Sequence, residues 1–185
     1  MKQWALVIFG CALFAVGLAA APLVSVADTA PMAAPTPVPI PRPDFSPMNF
    51  LLGSWSCTQP LRGKTRPETD VYSMGMDGMW MVAQTTAPPF DQYRTVPQTG
   101  MIYMTYDGSA KQWVQSTVDN LGGYGIESTP GWQGNTAMWS GKNLDGSSFT
   151  DNITKVSDTE TTDLSTTTDP QAKATTVTIT CKKSS

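Results

Sequence analysis

The stretch that decides the fold is Phe50-Leu51-Leu52-Gly53-Ser54-Trp55-Ser56-Cys57-Thr58, read against Thr176-Val177-Thr178-Ile179-Thr180-Cys181-Lys182-Lys183 near the other end of the chain. In each, apolar residues fall on alternate positions, the period of a half-buried strand. Trp55 and Cys57 share one face against Ser54, Ser56 and Thr58. Val177, Ile179 and Cys181 share one face against Thr176, Thr178 and Thr180. Each strand carries one cysteine on its apolar face, which predicts a barrel whose ends meet and are stapled.

Between these two strands, short β-rich stretches alternate with turn residues, and helix-length periodicity is absent. The expected strands are 54–59, 69–76, 79–87, 100–106, 112–118, 124–129, 136–140, 148–155, 160–167 and 175–182. Asp77-Gly78, Asp107-Gly108 and Asp145-Gly146 mark turns, because such dipeptides tolerate positive φ. Ser157-Asp158 and Asp169-Pro170 separate the last three strands. Ten strands joined by tight turns predict an all-β, antiparallel, up-and-down barrel. An even count makes the first and last strands antiparallel. If Cys57 sits opposite Cys181, Trp55 falls opposite Lys183 and Gln59 opposite Ile179, with the lysine over the indole face.

The N-terminus, residues 1–27, reads as a secretory signal: Lys2, an apolar run from Trp4 to Ala21, and Ser25-Val26-Ala27 as a small-x-small cleavage site. The apolar run is near the length of a membrane span, so an uncleaved anchor is the alternative. Cleavage removes Cys11 and leaves Cys57 and Cys181, an even pair in an exported chain, which predicts a disulfide over two buried thiols. Closing so long a loop is worth about 4–5 kcal/mol by chain entropy. The expected location is periplasmic or extracellular. Residues 28–47 hold seven prolines and read as an extended linker, leaving 48–185 as one barrel domain.

Once Lys2 is removed, fifteen acids face eleven bases. With no basic stripe, nucleic acid is not an expected partner, and neither is insertion of the mature domain into a membrane. Oligomeric state is not legible. The chain has no histidine, which excludes Ser-His-Asp and Cys-His nucleophiles and histidine-containing zinc sites. No catalytic residue and no cofactor is assigned. Asp70, Asp91, Asp119 and Glu127 leave carboxylate chemistry open, but most acids are exposed and these read as a solvated surface. Met74, Met76, Met79 and Met81 flank the Asp77-Gly78 turn. They read as adaptable core packing, with a thioether metal site as the weaker alternative.

Gly53-x-Trp55 on the first strand, with basic Lys183 from the last strand over the tryptophan, resembles the calycin barrels: lipocalins, fatty-acid-binding proteins and nitrobindin-like proteins. The segments at 50–57 and 76–82 and the late Cys181 look most like a bacterial exported subset of unknown function. The resemblance covers residues 48–185. It implies structural roles for Gly53 and Trp55. Nitrobindin-like haem binding uses a histidine ligand, so that activity does not carry over.

The function expected on this reading is noncovalent binding of a small apolar or amphipathic molecule. Phe90, Tyr93 and Arg94, in the longest irregular stretch of the domain (88–97), would gate the mouth. Trp113 and Tyr124 would line the interior. Two alternatives stand beside it. One is an envelope structural or protein-interaction module with a filled barrel. The other is a carboxylate-dependent hydrolase.

Overall fold

The computed structural model describes residues 41–92 and 94–184. The segment expected to be a secretory signal, most of the proline-rich stretch, and Tyr93 lie outside the described residues. Ten strands follow a 3-10 helix at Ser46–Leu51. They are β1 (Gly53–Leu61), β2 (Lys64–Gly75), β3 (Trp80–Ala87), β4 (Gln98–Asp107), β5 (Gln112–Asp119), β6 (Tyr124–Thr129), β7 (Thr136–Asn143), β8 (Ser148–Ser157), β9 (Glu160–Thr168) and β10 (Ala174–Lys183). Every strand pairs antiparallel with its sequence neighbour, and β1 pairs with β10, so the sheet closes into an up-and-down barrel.

Closure follows the expected register: Cys57 faces Cys181 and Trp55 faces Lys183. Cys57 and Cys181 form a disulfide. Lys183 Nζ lies 5.7 Å from the Trp55 ring centre and donates to the Phe50 carbonyl at 3.0 Å. Trp55 Nε1 donates to the Leu51 carbonyl at 2.6 Å. These two donors satisfy carbonyls of the 3-10 helix and pin it to the barrel wall. The lysine stem passes 3.2 Å from where a Cβ would sit on Gly53, whose φ is +108°. Only glycine combines that backbone with that clearance.

The 3-10 helix floors the barrel. Phe45 and Met48 are buried in a cluster with Met81, Met104, Trp113, Ala137 and Trp139. Phe45 falls within the stretch that composition assigns to the linker, yet the fold uses it as core. The turns carry their own hydrogen bonds. Asp107 Oδ1 accepts from the Ser109 and Ala110 amides, and Asp145 Oδ1 from the Ser147 amide. Asp77 and Gly78 take φ of 56° and 78°.

The largest departure from the sequence reading is β2, which starts at Lys64 rather than Thr69. Lys64-Thr65-Arg66-Pro67-Glu68 looks unlike a strand because it is charged and carries a proline. In the barrel, Pro67 stands outside opposite Thr58, while Arg66, Glu68 and Asp70 point inward. The interior is polar at that end, so apolar alternation does not mark the strand there.

Candidate functional site

Above the apolar floor the barrel encloses a cavity of about 450 Å³. Met48, Leu51, Met104, Trp132, Trp139 and Ile153 line its floor side. Trp132 Nε1 donates to the Met48 sulfur at 3.2 Å, holding the indole against the 3-10 helix. The strand register places charged residues further along the bore. Six carboxyl groups line the cavity (Glu68, Asp70, Asp119, Glu127, Asp151 and Asp163), and among the described residues that line it the one basic side chain is Arg66. They come from β2, β5, β6, β8 and β9 because each occupies the inward parity of its strand.

Arg66 is already engaged. Its guanidinium donates to Glu68 Oε2 at 3.0 Å and to Gln98 Oε1 at 2.7 Å. Gln98 Nε2 in turn donates to Asp119 Oδ2 at 2.7 Å. Burial pushes the Asp119 carboxyl up, but the Gly123 and Leu121 amides, Gln98 and Arg94 outweigh it and hold Asp119 below the usual carboxylate range. This network rings the end of the cavity away from the floor.

Among the described residues no cation supports the acids deeper in. Asp70 is 8% exposed and Glu127 is 7% exposed. Burial, reinforced by Glu68, pushes Asp70 up to about 7. Burial, reinforced by Asp151, pushes Asp163 up to about 7. Glu127 is raised well above the usual range, by burial first and then by the Asp151 charge. Burial raises Asp151 as well. Gln115 Nε2 donates to Glu127 Oε1. Glu127 also meets the Asp151 carboxyl, and a proton on Glu127 makes that contact a carboxyl–carboxylate hydrogen bond.

Gly141 makes the meeting feasible. It sits on β7 between Glu127 on β6 and Phe149 on β8. A Cβ there would collide with the Ile126 carbonyl and come within 2.7 Å of Glu127 Cβ. Asp70 Oδ2 lies 3.4 Å from the Cys57 sulfur. The disulfide carries no S–H, so a hydrogen bond there needs the proton on Asp70. Cys57, Asp70 and Cys181 are also the one set of three or more Cys, Asp or Glu ligand atoms that converge within 4.8 Å among the described residues. With both thiols oxidised, that set supplies no thiolate.

The residues singled out from sequence fall in different places. The stretch 88–97 joins β3 to β4 at the open end of the cavity. Arg94 Nη1 donates to Gln98 Oε1 at 2.6 Å, which links it to the rim network. Phe90 is half-buried in that loop, its amide donating to the Arg94 carbonyl at 2.9 Å, and it is not among the cavity-lining side chains. Tyr124 borders the cavity but is 40% exposed, on the outward parity shared with Ile126, so it edges the mouth rather than the interior. Trp113 does not line the cavity. It is packed in the floor, 5.2 Å from the Phe45 ring and 5.4 Å from the Tyr106 ring, because the 3-10 helix covers it. Met81 is buried in the floor cluster, while Met74 is 39% and Met76 is 61% exposed.

The reading of the acids as solvated surface is corrected for Asp70 and Glu127, which are buried inside, and for Asp119, which lines the cavity. Asp91 is on the loop and not among the cavity-lining residues, but its side chain is 13% exposed and held 2.7 Å from Arg62, so it is not a solvated group either. Asp151 and Asp163 are not singled out by the sequence reading. Parity is the signal that points to them: Asp151 shares a face of β8 with the inward Phe149 and Ile153, and Asp163 a face of β9 with the inward Thr161 and Ser165. No family model matches the chain, and a search of curated proteins finds no match.

Proposed function

We propose that the barrel is a binding protein that holds one small amphipathic molecule noncovalently inside its bore. The observation that carries this is the cavity of about 450 Å³, apolar and aromatic at the floor and polar toward the mouth. That is within the size range of small-molecule sites, which bury an apolar body and fix it with a few polar groups. The Gly53, Trp55 and Lys183 arrangement supports a calycin-like relationship, and ligand storage inside the barrel suits that architecture. The Cys57–Cys181 disulfide supports an exported protein working in an oxidising compartment. The volume left inside weighs against the alternative of a filled barrel that works only through its outer surface.

One observation favours a second reading, a carboxylate hydrolase: Glu127 and Asp151 face each other in a buried setting, as a proton-sharing dyad does. In a glycosidase the two carboxyls stand about 5–9.5 Å apart, flanking the bond they cleave. Here they are in contact, and Glu127 is 7% exposed inside the bore. Binding is therefore the stronger reading.

Native mass spectrometry of the chain purified from its own host, alongside titration with the neutral dye Nile red, tests the proposal. A stable added mass that is lost on unfolding, or saturable dye binding displaced by host lipid extract, is the expected result. A bare chain that also leaves the dye unquenched and unshifted would overturn it.

A further inference from the structure

With the acids ionised, four buried side-chain atoms have no hydrogen-bond partner among the described residues: Arg66 Nε, Asp70 Oδ1, Glu127 Oε2 and Asp163 Oδ1. All four belong to residues that line the one cavity, and three are carboxyl oxygens. Two of these, on Asp70 and Glu127, belong to residues more than nine-tenths buried. A buried acceptor without a donor is costly, and a cluster of them with like charge is costlier. Water can donate to such oxygens but cannot neutralise them.

We propose that the ligand's head group is an organic cation with several N–H donors, a primary ammonium or a guanidinium, seated among Glu127, Asp151, Asp163 and Asp70, with its tail on Trp132 and Trp139. This rests on the reading that the bore holds a small ligand, and it names the ligand's charge. An anion finds one free donor, the Arg66 Nε–H, among six cavity-lining carboxyls, because Nη1 and Nη2 of that guanidinium already serve Glu68 and Gln98. A single metal ion is a poor fit as well. Among the described residues, three or more Cys, Asp or Glu ligand atoms converge within 4.8 Å only at Cys57, Asp70 and Cys181, so the Glu127, Asp151 and Asp163 oxygens do not all come close enough for one coordination sphere. A head group with separated N–H donors spans such a spread.

Binding is coupled to protons. In the empty barrel burial raises the Glu127, Asp151, Asp163 and Asp70 carboxyls, so near neutral pH the cluster holds part of its protons. A cation favours their ionised forms, so its arrival releases protons to solvent. The groups facing Glu127 are Gln115 from β5, Asp151 from β8, Asp163 from β9 and Tyr72 from β2, and Tyr72 in turn meets Asp70 and Glu68 of its own strand. Burial pushes Tyr72 up, which keeps it neutral, and among the described residues no basic group faces the cluster directly. Affinity for the cation therefore rises with pH through the neutral range.

The test is calorimetric titration of the full chain with octylamine, octanol and octanoate at about pH 7, in two buffers of different ionisation enthalpy. Octylammonium is expected to bind at least about tenfold tighter than either analogue, the worth of one hydrogen bond to a buried charge. Its heat should differ between buffers because protons are released. Glu127→Gln and, independently, Asp163→Asn are each expected to weaken octylammonium by about tenfold and leave octanol unchanged. Either variant suffices should the other fail to fold. Equal or tighter binding of octanol or octanoate overturns the charge assignment and leaves the ligand-binding reading standing. So does octylammonium binding that is insensitive to buffer and to both substitutions. Binding of none of the three overturns both. Saturable binding of calcium in place of octylammonium also overturns the organic-cation assignment.

Discussion

Replacing Asp70 by asparagine isolates one of the buried carboxyls and gives its energetics a measurable sign. Asp70 is 8% exposed, with one carboxyl oxygen unpartnered and the other beside the Cys57 sulfur. Burial, with help from Glu68, pushes its carboxyl from 3.8 up to about 7. A group raised in this way contributes stability that is complete below its unfolded value and lost as pH rises through its folded value. For each pH unit in which the folded chain holds a proton that the unfolded chain has released, the loss is about 1.4 kcal/mol. Between about pH 5.5 and the folded value of about 7, the wild type therefore loses about 2 kcal/mol through this residue alone.

The amide in D70N does not titrate, so that variant avoids the loss. Glu127, Asp151 and Asp163 act in both proteins and drop out of the difference. Urea unfolding of both proteins at about pH 5.5 and about pH 8.5 reads the quantity directly. D70N should gain about 2 kcal/mol on the wild type between the two conditions, whatever its offset at the lower pH. If the two proteins keep a constant gap, within about 0.5 kcal/mol, Asp70 is solvated or ionised throughout and the account of the acidic interior fails.

Two further outcomes follow from closure and packing. The Cys57–Cys181 bridge spans a sequence separation of 124, so replacing both cysteines by serine should lower stability by up to about 5 kcal/mol. A loss under about 1 kcal/mol in urea unfolding would mean that the β1–β10 ladder closes the barrel unaided. Gly141→Ala drives a methyl group into the Ile126 carbonyl and the Glu127 backbone, and should cost more than about 3 kcal/mol or abolish folding. Gly108→Ala, where a Cβ meets nothing within 4 Å, is the control and should stay within about 1 kcal/mol. Equal thermal midpoints for the two alanine variants would refute the claim that β7 is pressed against Glu127.

The ten strands and their order are legible in the sequence because turn dipeptides and local alternation are properties of neighbouring residues. The closing register is legible for a similar reason. Cys57 and Cys181 each sit on an apolar parity near one end of the domain, and pairing them places Lys183 on Trp55. Trp113 shows where local reasoning stops. Its inward parity is readable, but whether an inward aromatic meets ligand or core depends on Phe45 and Met48, which arrive from outside the sheet. The Lys64–Glu68 half of β2 escapes a sequence reading because a polar interior removes the contrast between faces on which alternation depends.

The acidic bore marks the same boundary most clearly. Sequence by itself determined which carboxylates share a face with which neighbours along each strand, and that histidine chemistry is excluded. It could not place Asp70, Glu127, Asp151 and Asp163 around one cavity, because they lie on four strands and meet only when the barrel closes. A carboxylate's charge state depends on how much water and which other charges surround it. Those are properties of the assembled interior, so only the tertiary structure decided that these residues line a buried cavity, where burial raises their carboxyls, rather than a solvated face.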